Sequence, residues 1–195
     1  MTWTPGQPLT IASEHFVLRS LTAADVDDRM VGWFADREVM EHVALPMDVP
    51  RDELLRFVQG FDNKHTFLLG LQTREGRLVG FYRVWCYFQY GYAKTAVLVG
   101  DRGYWGKKTV LETRAVLLDF LFDGLGLHKA TGAVYTRNHA AVFNYKAQGF
   151  RCEGILREQE PGRDGRWLDV YLFGLLRDEW KARKRQGGPI GRPSQ

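Results

Sequence analysis

The sequence predicts a mixed α/β protein: a central, mostly antiparallel, twisted sheet of about seven strands with flanking helices. Three observations predict it. Strand-like runs with hairpin punctuation come early, a strand, a helix and a second strand follow one another between Ala93 and Thr136, and two long strand-like runs joined by a turn-rich linker close the chain. With 195 residues, 45% of them hydrophobic, the chain can bury one sizeable core, and residues 1–180 read as a single domain.

Phe16–Leu21 is the first strand, and Thr22-Ala-Ala-Asp25 opens a helix that runs to about Ala35. Residues 38–49 read as irregular. Pro50-Arg-Asp-Glu53 starts a second helix with Leu54, Leu55, Phe57, Val58 and Phe61 as its apolar side. Thr66–Thr73 and Arg77–Tyr87 form a hairpin around Glu75-Gly76, and Tyr92–Gly100 continues the meander, apolar and β-branched enough from Ala93 onward to be buried on both faces. Val110–Gly126 is an amphipathic helix: Leu111, Leu118 and Leu125 repeat at heptad spacing beside Ala115, Leu121 and Phe122, while Glu112, Asp119 and Asp123 share another face. Thr109-Val-Leu-Glu112 is a capping-box pattern at its start, and Gly124-Leu-Gly126 marks its end. Lys129–Thr136 is the next strand, closed by Arg137-Asn138, and His139–Gln148 is a short helix. Phe150–Glu160 and Trp167–Leu176 form the final antiparallel pair around Pro161-Gly-Arg-Asp-Gly165.

The formal charge of +4 suggests a nucleic-acid partner until it is located. Lys181, Arg183, Lys184, Arg185 and Arg192 carry five positive charges in the last fifteen residues without an acid, so the rest of the chain is slightly acidic. Nucleic acid is therefore not an expected partner, and residues 181–195 read as a basic, disordered tail. No long apolar run and no signal-like N-terminus occur, which leads to the expectation of a cytoplasmic protein with no membrane partner. Cys86 and Cys152 read as free thiols, and no histidine has ligand spacing, so no metal is expected.

The turn Asp101-Arg-Gly-Tyr-Trp-Gly-Lys-Lys-Thr109 joins a strand to a helix N-terminus, where unpaired backbone N–H groups and the helix dipole favour an anion. Arg102, Lys107 and Lys108 add positive charge, so phosphate is the expected guest. A P-loop would require Gly-x4-Gly-Lys-Ser/Thr. Here five residues separate Gly100 from Gly106, and Lys108 stands where the magnesium-binding hydroxyl is needed. An acyl-CoA pyrophosphate needs only backbone donors and a helix start, with no metal.

The segment after the helix supports the second reading. From Asn138, Ala141 follows at three positions, Tyr145 at seven, and Gly149-Phe150 at eleven and twelve. With this register after the Tyr-Trp-Gly-Lys turn, the chain resembles the GNAT superfamily of N-acetyltransferases from about Phe16 to Trp180, in particular the subgroup that acetylates the N-termini of ribosomal proteins. The resemblance implies a GNAT-like sheet with a splayed central strand pair, and acetyl-CoA as cosubstrate. Leu98, Val99 and Gly100 would offer backbone to the pantetheine arm. Trp105, Gly106, Lys107, Lys108, Thr109 and Val110, with Asn138 and Ala141, would complete the cofactor-binding set. Asn138 also fits a helix N-cap.

In that family a neutral amine attacks the thioester directly, and Tyr145 matches the acid that protonates the leaving thiolate. A free phenol titrates near 10, comparable to an aliphatic thiol. The strand from Tyr92 to Gly100 carries no carboxylate or histidine, so Glu41 and His42 are the candidates for the proton route. Tyr82, Arg83 and Trp85, within the aromatic run Tyr82 to Tyr92, are candidate acceptor contacts, with Arg83 favouring an acceptor that bears a carboxylate or phosphate. A peptide N-terminus, an amino sugar and a polyamine all remain open as acceptors, as do a monomer and a homodimer. The chain departs from the family at Lys108 and Val110, which stand where small residues usually let backbone approach the pyrophosphate. That departure keeps a second reading open: a catalytically silent module that binds a CoA-type ligand or a protein partner.

Overall fold

A computed structural model describes residues 3–186. Eight strands form one sheet in the order β1-β2-β3-β4-β5-β6-β8-β7, and the chain divides into two compact units. One comprises residues up to Cys86 together with Ala96–Thr109, and the other comprises Tyr87–Thr95 together with residues from Val110 onward.

The first unit begins with β1 (Thr10–Ala12) and β2 (Phe16–Ser20), continues through α1 (Asp28–Ala35), α2 (Arg37–Met40) and α3 (Arg51–Gln59), and returns to the sheet as β3 (Thr66–Thr73) and β4 (Leu78–Tyr87). Its pairings are antiparallel, with Ile11↔Leu18, Leu18↔Leu71 and Leu69↔Tyr82 in register. β1 makes eight strands where the sequence suggested about seven; three residues are too few to show a periodicity. The single helix expected from Thr22 to Ala35 is divided. Asp25 turns back to accept from the Thr22 N–H at 2.8 Å, closing a 3₁₀ turn, and the Asp27 carboxylate accepts from the Met30 N–H at 2.9 Å, restarting the helix as its N-cap. Asp36 likewise caps α2 within the stretch expected to be irregular, accepting from the N–H groups of Glu38 at 2.9 Å and Val39 at 3.3 Å. Met30, Trp33 and Phe34 of α1 and Leu54 and Val58 of α3 bury their faces with Phe81 and Leu98. Each such side chain stabilises the fold by about 1.5–3 kcal/mol.

Asp62 fixes the entry to β3. Its carboxylate accepts from the backbone N–H groups of Lys64 (2.9 Å), His65 (2.8 Å) and Thr66 (2.7 Å). Burial pushes its pKa up, but these donors outweigh burial and hold the carboxyl well below the usual carboxylate range. A depressed folded-state pKa gives stability that is present above the unfolded pKa and lost as pH falls through the folded one. Asp62→Ala is therefore expected to cost about 1 kcal/mol at pH 7. In urea unfolding, the gap from the parent protein should narrow below about pH 4.

The second unit is built from α4 (Thr109–Asp119), which ends in a π turn over Phe120–Gly124, then β6 (Lys129–Tyr135), α5 (His139–Ala147), β7 (Arg151–Pro161), β8 (Trp167–Leu176) and α6 (Arg177–Arg185). α4 is less amphipathic than expected. Leu111, Ala115, Leu118, Leu121 and Phe122 are buried as anticipated, but so are Thr113, Arg114 and Leu117 from its other sides. β6 pairs antiparallel with β8 along its whole length, from Lys129↔Leu176 to Tyr135↔Val170. The basic segment is corrected in part, since Lys181–Arg185 belong to α6 instead of a disordered tail. Trp180 is buried and donates to Asp119 at 2.8 Å, Lys184 meets the same carboxylate at 2.8 Å, and Lys181 pairs with Asp123 at 3.2 Å. Cations in the last turn also complement the helix dipole. Residues 187–195 of the expected tail lie outside the described residues. No described helix is long and apolar enough to cross a membrane.

Candidate active site

β5 (Tyr92–Val99) runs parallel to β6 for only three residue pairs, Tyr92↔Lys129, Ala93↔Ala130 and Lys94↔Thr131. Two hydroxyls mark the end of this ladder: Thr131 Oγ1 donates to the Ala93 carbonyl at 3.2 Å, and Thr95 Oγ1 donates to the Thr131 carbonyl at 3.4 Å. The next residue on β6 is Gly132, and the Tyr145 hydroxyl rests on it. A Cβ on Gly132 would overlap that hydroxyl and stand 2.5 Å from Cζ.

α5 carries Tyr145 there. Asn138 is its N-cap, accepting from the Ala141 N–H at 3.0 Å, and Ala141 lies in the first turn. The Tyr145 ring is buried, stacked on Phe173 at 4.9 Å, edge-on to Phe150 at 5.0 Å, and covered by the Arg114 guanidinium at 4.3 Å. Arg114 is held in turn by Gln148, which accepts from its Nη1 at 3.2 Å and donates to the Leu111 carbonyl at 2.9 Å. The Tyr145 hydroxyl forms no hydrogen bond with any described residue. Tyr135, at the far end of β6, differs: burial and a 2.7 Å hydrogen bond to Glu160 push its phenol up to about 12, which makes it a poor acid at neutral pH.

In the first unit, the turn after β5 distributes its charges unevenly. Arg102, expected to be a mobile phosphate ligand, is clamped on Asp36 at 2.6 Å and on Glu38, and Arg77 neutralises Asp101 at 2.6 Å. Lys107 and Lys108 are exposed and form no ion pair with a described residue; Lys107 lies 5.7 Å above the Tyr104 ring. Trp105 folds back so that its indole donates to the Val99 carbonyl at 2.8 Å, while the Gly100 N–H donates to Val79 at 2.9 Å. Those two backbone groups are thus already engaged, and Leu98 contributes a buried side chain. Gly106 faces open space, Thr109 Oγ1 donates to the Tyr104 carbonyl at 3.0 Å, and Val110 is partly buried in the first turn of α4.

Lys108 has φ +60°, the left-handed region that favours glycine. The position at which the family pattern has a small residue thus has the backbone conformation glycine suits. Lys108→Gly is expected to relieve about 1 kcal/mol of strain, partly offset by the entropy of the unfolded chain. It is also expected to weaken acetyl-CoA binding severalfold through the lost charge, as read by urea unfolding and calorimetry. Tighter binding would show instead that the Lys108 side chain obstructs the ligand.

Glu41 and His42 follow α2, with His42 Nε2 3.9 Å from Glu41 Oε1. On β4, alternation separates the expected acceptor contacts. Tyr82 is fully buried and belongs to the core, so it is corrected from a cleft residue, whereas Arg83 and Trp85 point to the opposite face and are partly exposed. Tyr87 and Tyr92 stack on each other at 4.7 Å. Burial pushes the Cys86 thiol up to about 12, so it remains protonated. Gly132, Arg114 and Gln148 went unnoticed in the sequence; a glycine within a strand pattern and an arginine on an apolar helix stripe were the available signals.

Residues 15–151 match the family model described as an acetyltransferase (GNAT) domain. An uncharacterised N-acetyltransferase p20 from Bacillus licheniformis is 34% identical over 79 residues, a match that covers 40% of this chain and only 44% of that relative. Among solved structures, a spermidine N-acetyltransferase from Vibrio cholerae in complex with CoA and spermine aligns with a TM-score of 0.78 and 22% identity over 86% of this chain and 98% of its own. A ribosomal-protein-S5-alanine acetyltransferase from Vibrio fischeri aligns with a TM-score of 0.73 and 20% identity, covering 88% of this chain and 98% of its own. At these identities the two structures show the fold alone, but the family model spans most of the chain, and the chain belongs to the GNAT acetyltransferase family.

Proposed function

We propose that this protein transfers an acetyl group from acetyl-CoA to a primary amine, with Tyr145 as the acid that protonates the departing thiolate. The observation that carries the reading is a tyrosine with a buried ring whose hydroxyl forms no hydrogen bond with a described residue and lies on Gly132, one residue beyond the end of the β5–β6 ladder.

The residues present fit the cosubstrate. The turn before α4 has open space over Gly106, two exposed lysines with no ion pair to a described residue, and its one carboxylate neutralised by Arg77. Bound acetyl-CoA would supply the thioester that the amine attacks. Lys107, Lys108 and the first N–H groups of α4 would hold its phosphates, and Asn138 would keep α5, and so Tyr145, in place. Glu41 and His42 are the groups assigned to take the proton from the amine. The spacing from Asn138 to Phe150 and the likeness to the S5-alanine enzyme support a place near the ribosomal-protein subgroup, with a peptide N-terminus or a small amine as acceptor. The two free cysteines fit a reducing, cytoplasmic setting.

Calorimetric titration with acetyl-CoA tests the reading. Saturable micromolar binding, followed by acetylation of at least one member of an amine panel, is the expected result. Absence of acetyl-CoA binding would overturn it.

A further inference from the structure

Arg83 is a partly buried cation of the first unit with no carboxylate partner among the described residues. Arg19, Arg51, Arg77 and Arg102 are each clamped on a carboxylate. The Arg83 guanidinium forms no ion pair or hydrogen bond with a described residue, and its contact is the Trp85 ring, whose centroid is 5.2 Å from Cζ. Nor is it solvated like a surface arginine: it is partly buried, and desolvation lowers its pKa. A guanidinium withdrawn from water without a counter-charge is costly unless an anion arrives from elsewhere.

Phe81, Arg83 and Trp85 share one face of β4, opposite Gly70, Leu68 and Thr66 of β3. Phe81 is covered by Phe34 at 6.3 Å and Phe57 at 6.1 Å, and Arg83 lies one step beyond this apolar cover.

We infer that Arg83, braced on Trp85, binds a carboxylate or phosphate group of the acceptor, so that this protein acts on anionic or zwitterionic amines. The inference rests on the acetyl-transfer reading above. The planar fork of a guanidinium matches either oxyanion in a bidentate manner, and stacking on an indole fixes the plane of the fork before the ligand arrives.

The experiment follows the Trp85 indole N–H in ¹⁵N–¹H spectra of the full chain, assigned with Trp85→Phe, during additions of inorganic phosphate and, separately, acetate. The expected result is a saturable shift with at least one of them, weakened tenfold or more in Arg83→Gln and partly retained in Arg83→Lys. Whichever anion binds more tightly identifies the acceptor's acidic group. No shift, or a shift unchanged in Arg83→Gln, would overturn the inference. Calorimetry with acetyl-CoA on the same Arg83→Gln sample separates the two readings. Retained binding shows a folded variant in which only the anion contact is gone. A parent protein that binds phosphate at Trp85 but not acetyl-CoA would lose the acetyl-transfer reading and, with it, the assignment of this site to an acceptor.

Discussion

Tyr145→Phe is expected to lower kcat about a hundredfold while leaving acetyl-CoA affinity within about twofold and stability unchanged or slightly raised. The ring is fixed by groups the substitution leaves alone: Phe173 at 4.9 Å, Phe150 at 5.0 Å and the Arg114 guanidinium at 4.3 Å. Only the hydroxyl is lost, and since it bonds to no described residue, its removal breaks no internal hydrogen bond. A structural tyrosine would give the reverse pattern, with stability falling and turnover following it. Steady-state kinetics, calorimetry and thermal melting on one preparation distinguish the two. Undiminished kcat would remove Tyr145 from the mechanism.

Gly132→Ala should be nearly as damaging to turnover, and unlike Tyr145→Phe it should also destabilise the protein, by about 1–3 kcal/mol. Its methyl group would occupy the place of the phenol oxygen and crowd Cζ at 2.5 Å. The ring has no second position, because Phe173 lies under one face and Arg114, itself held by Gln148, lies over the other. Either β6 bends away or Tyr145 is displaced, and both outcomes move the hydroxyl from its place beside the end of the ladder. A lower Tm together with at least a hundredfold loss in kcat is the result to look for. Parent-like values for both would mean that the phenol does not rest on this strand.

The contrast between these two residues shows how much of the site was legible in the sequence. Tyr145 was found from its spacing to Asn138 and Gly149-Phe150, because those residues act within one short helix and its caps, where chain distance and spatial distance agree. Gly132 was not found, because its importance comes from a side chain thirteen positions away that arrives from another layer. Arg102 shows the same limit. In the sequence it is a cation in a phosphate-binding turn, whereas in the structure it is spent on Asp36 and Glu38, more than sixty residues earlier.

The sequence by itself determined the order and type of the strands from β2 to β8 and of α3, α4 and α5, though not of β1, α2 or α6, together with the position of the turn before α4 and the Asn138–Phe150 register, since periodicity, turn chemistry and capping are local properties of the chain. Tertiary structure alone decided which face of each strand is buried. It placed Tyr82 in the core and left Arg83 without a counter-charge among the described residues, because alternation fixes that neighbours differ but not which one faces inward. It also fixed where the β5–β6 ladder stops, and it gave Lys108 a glycine's backbone conformation. These features depend on what packs against each segment, and the packing partners come from distant parts of the chain.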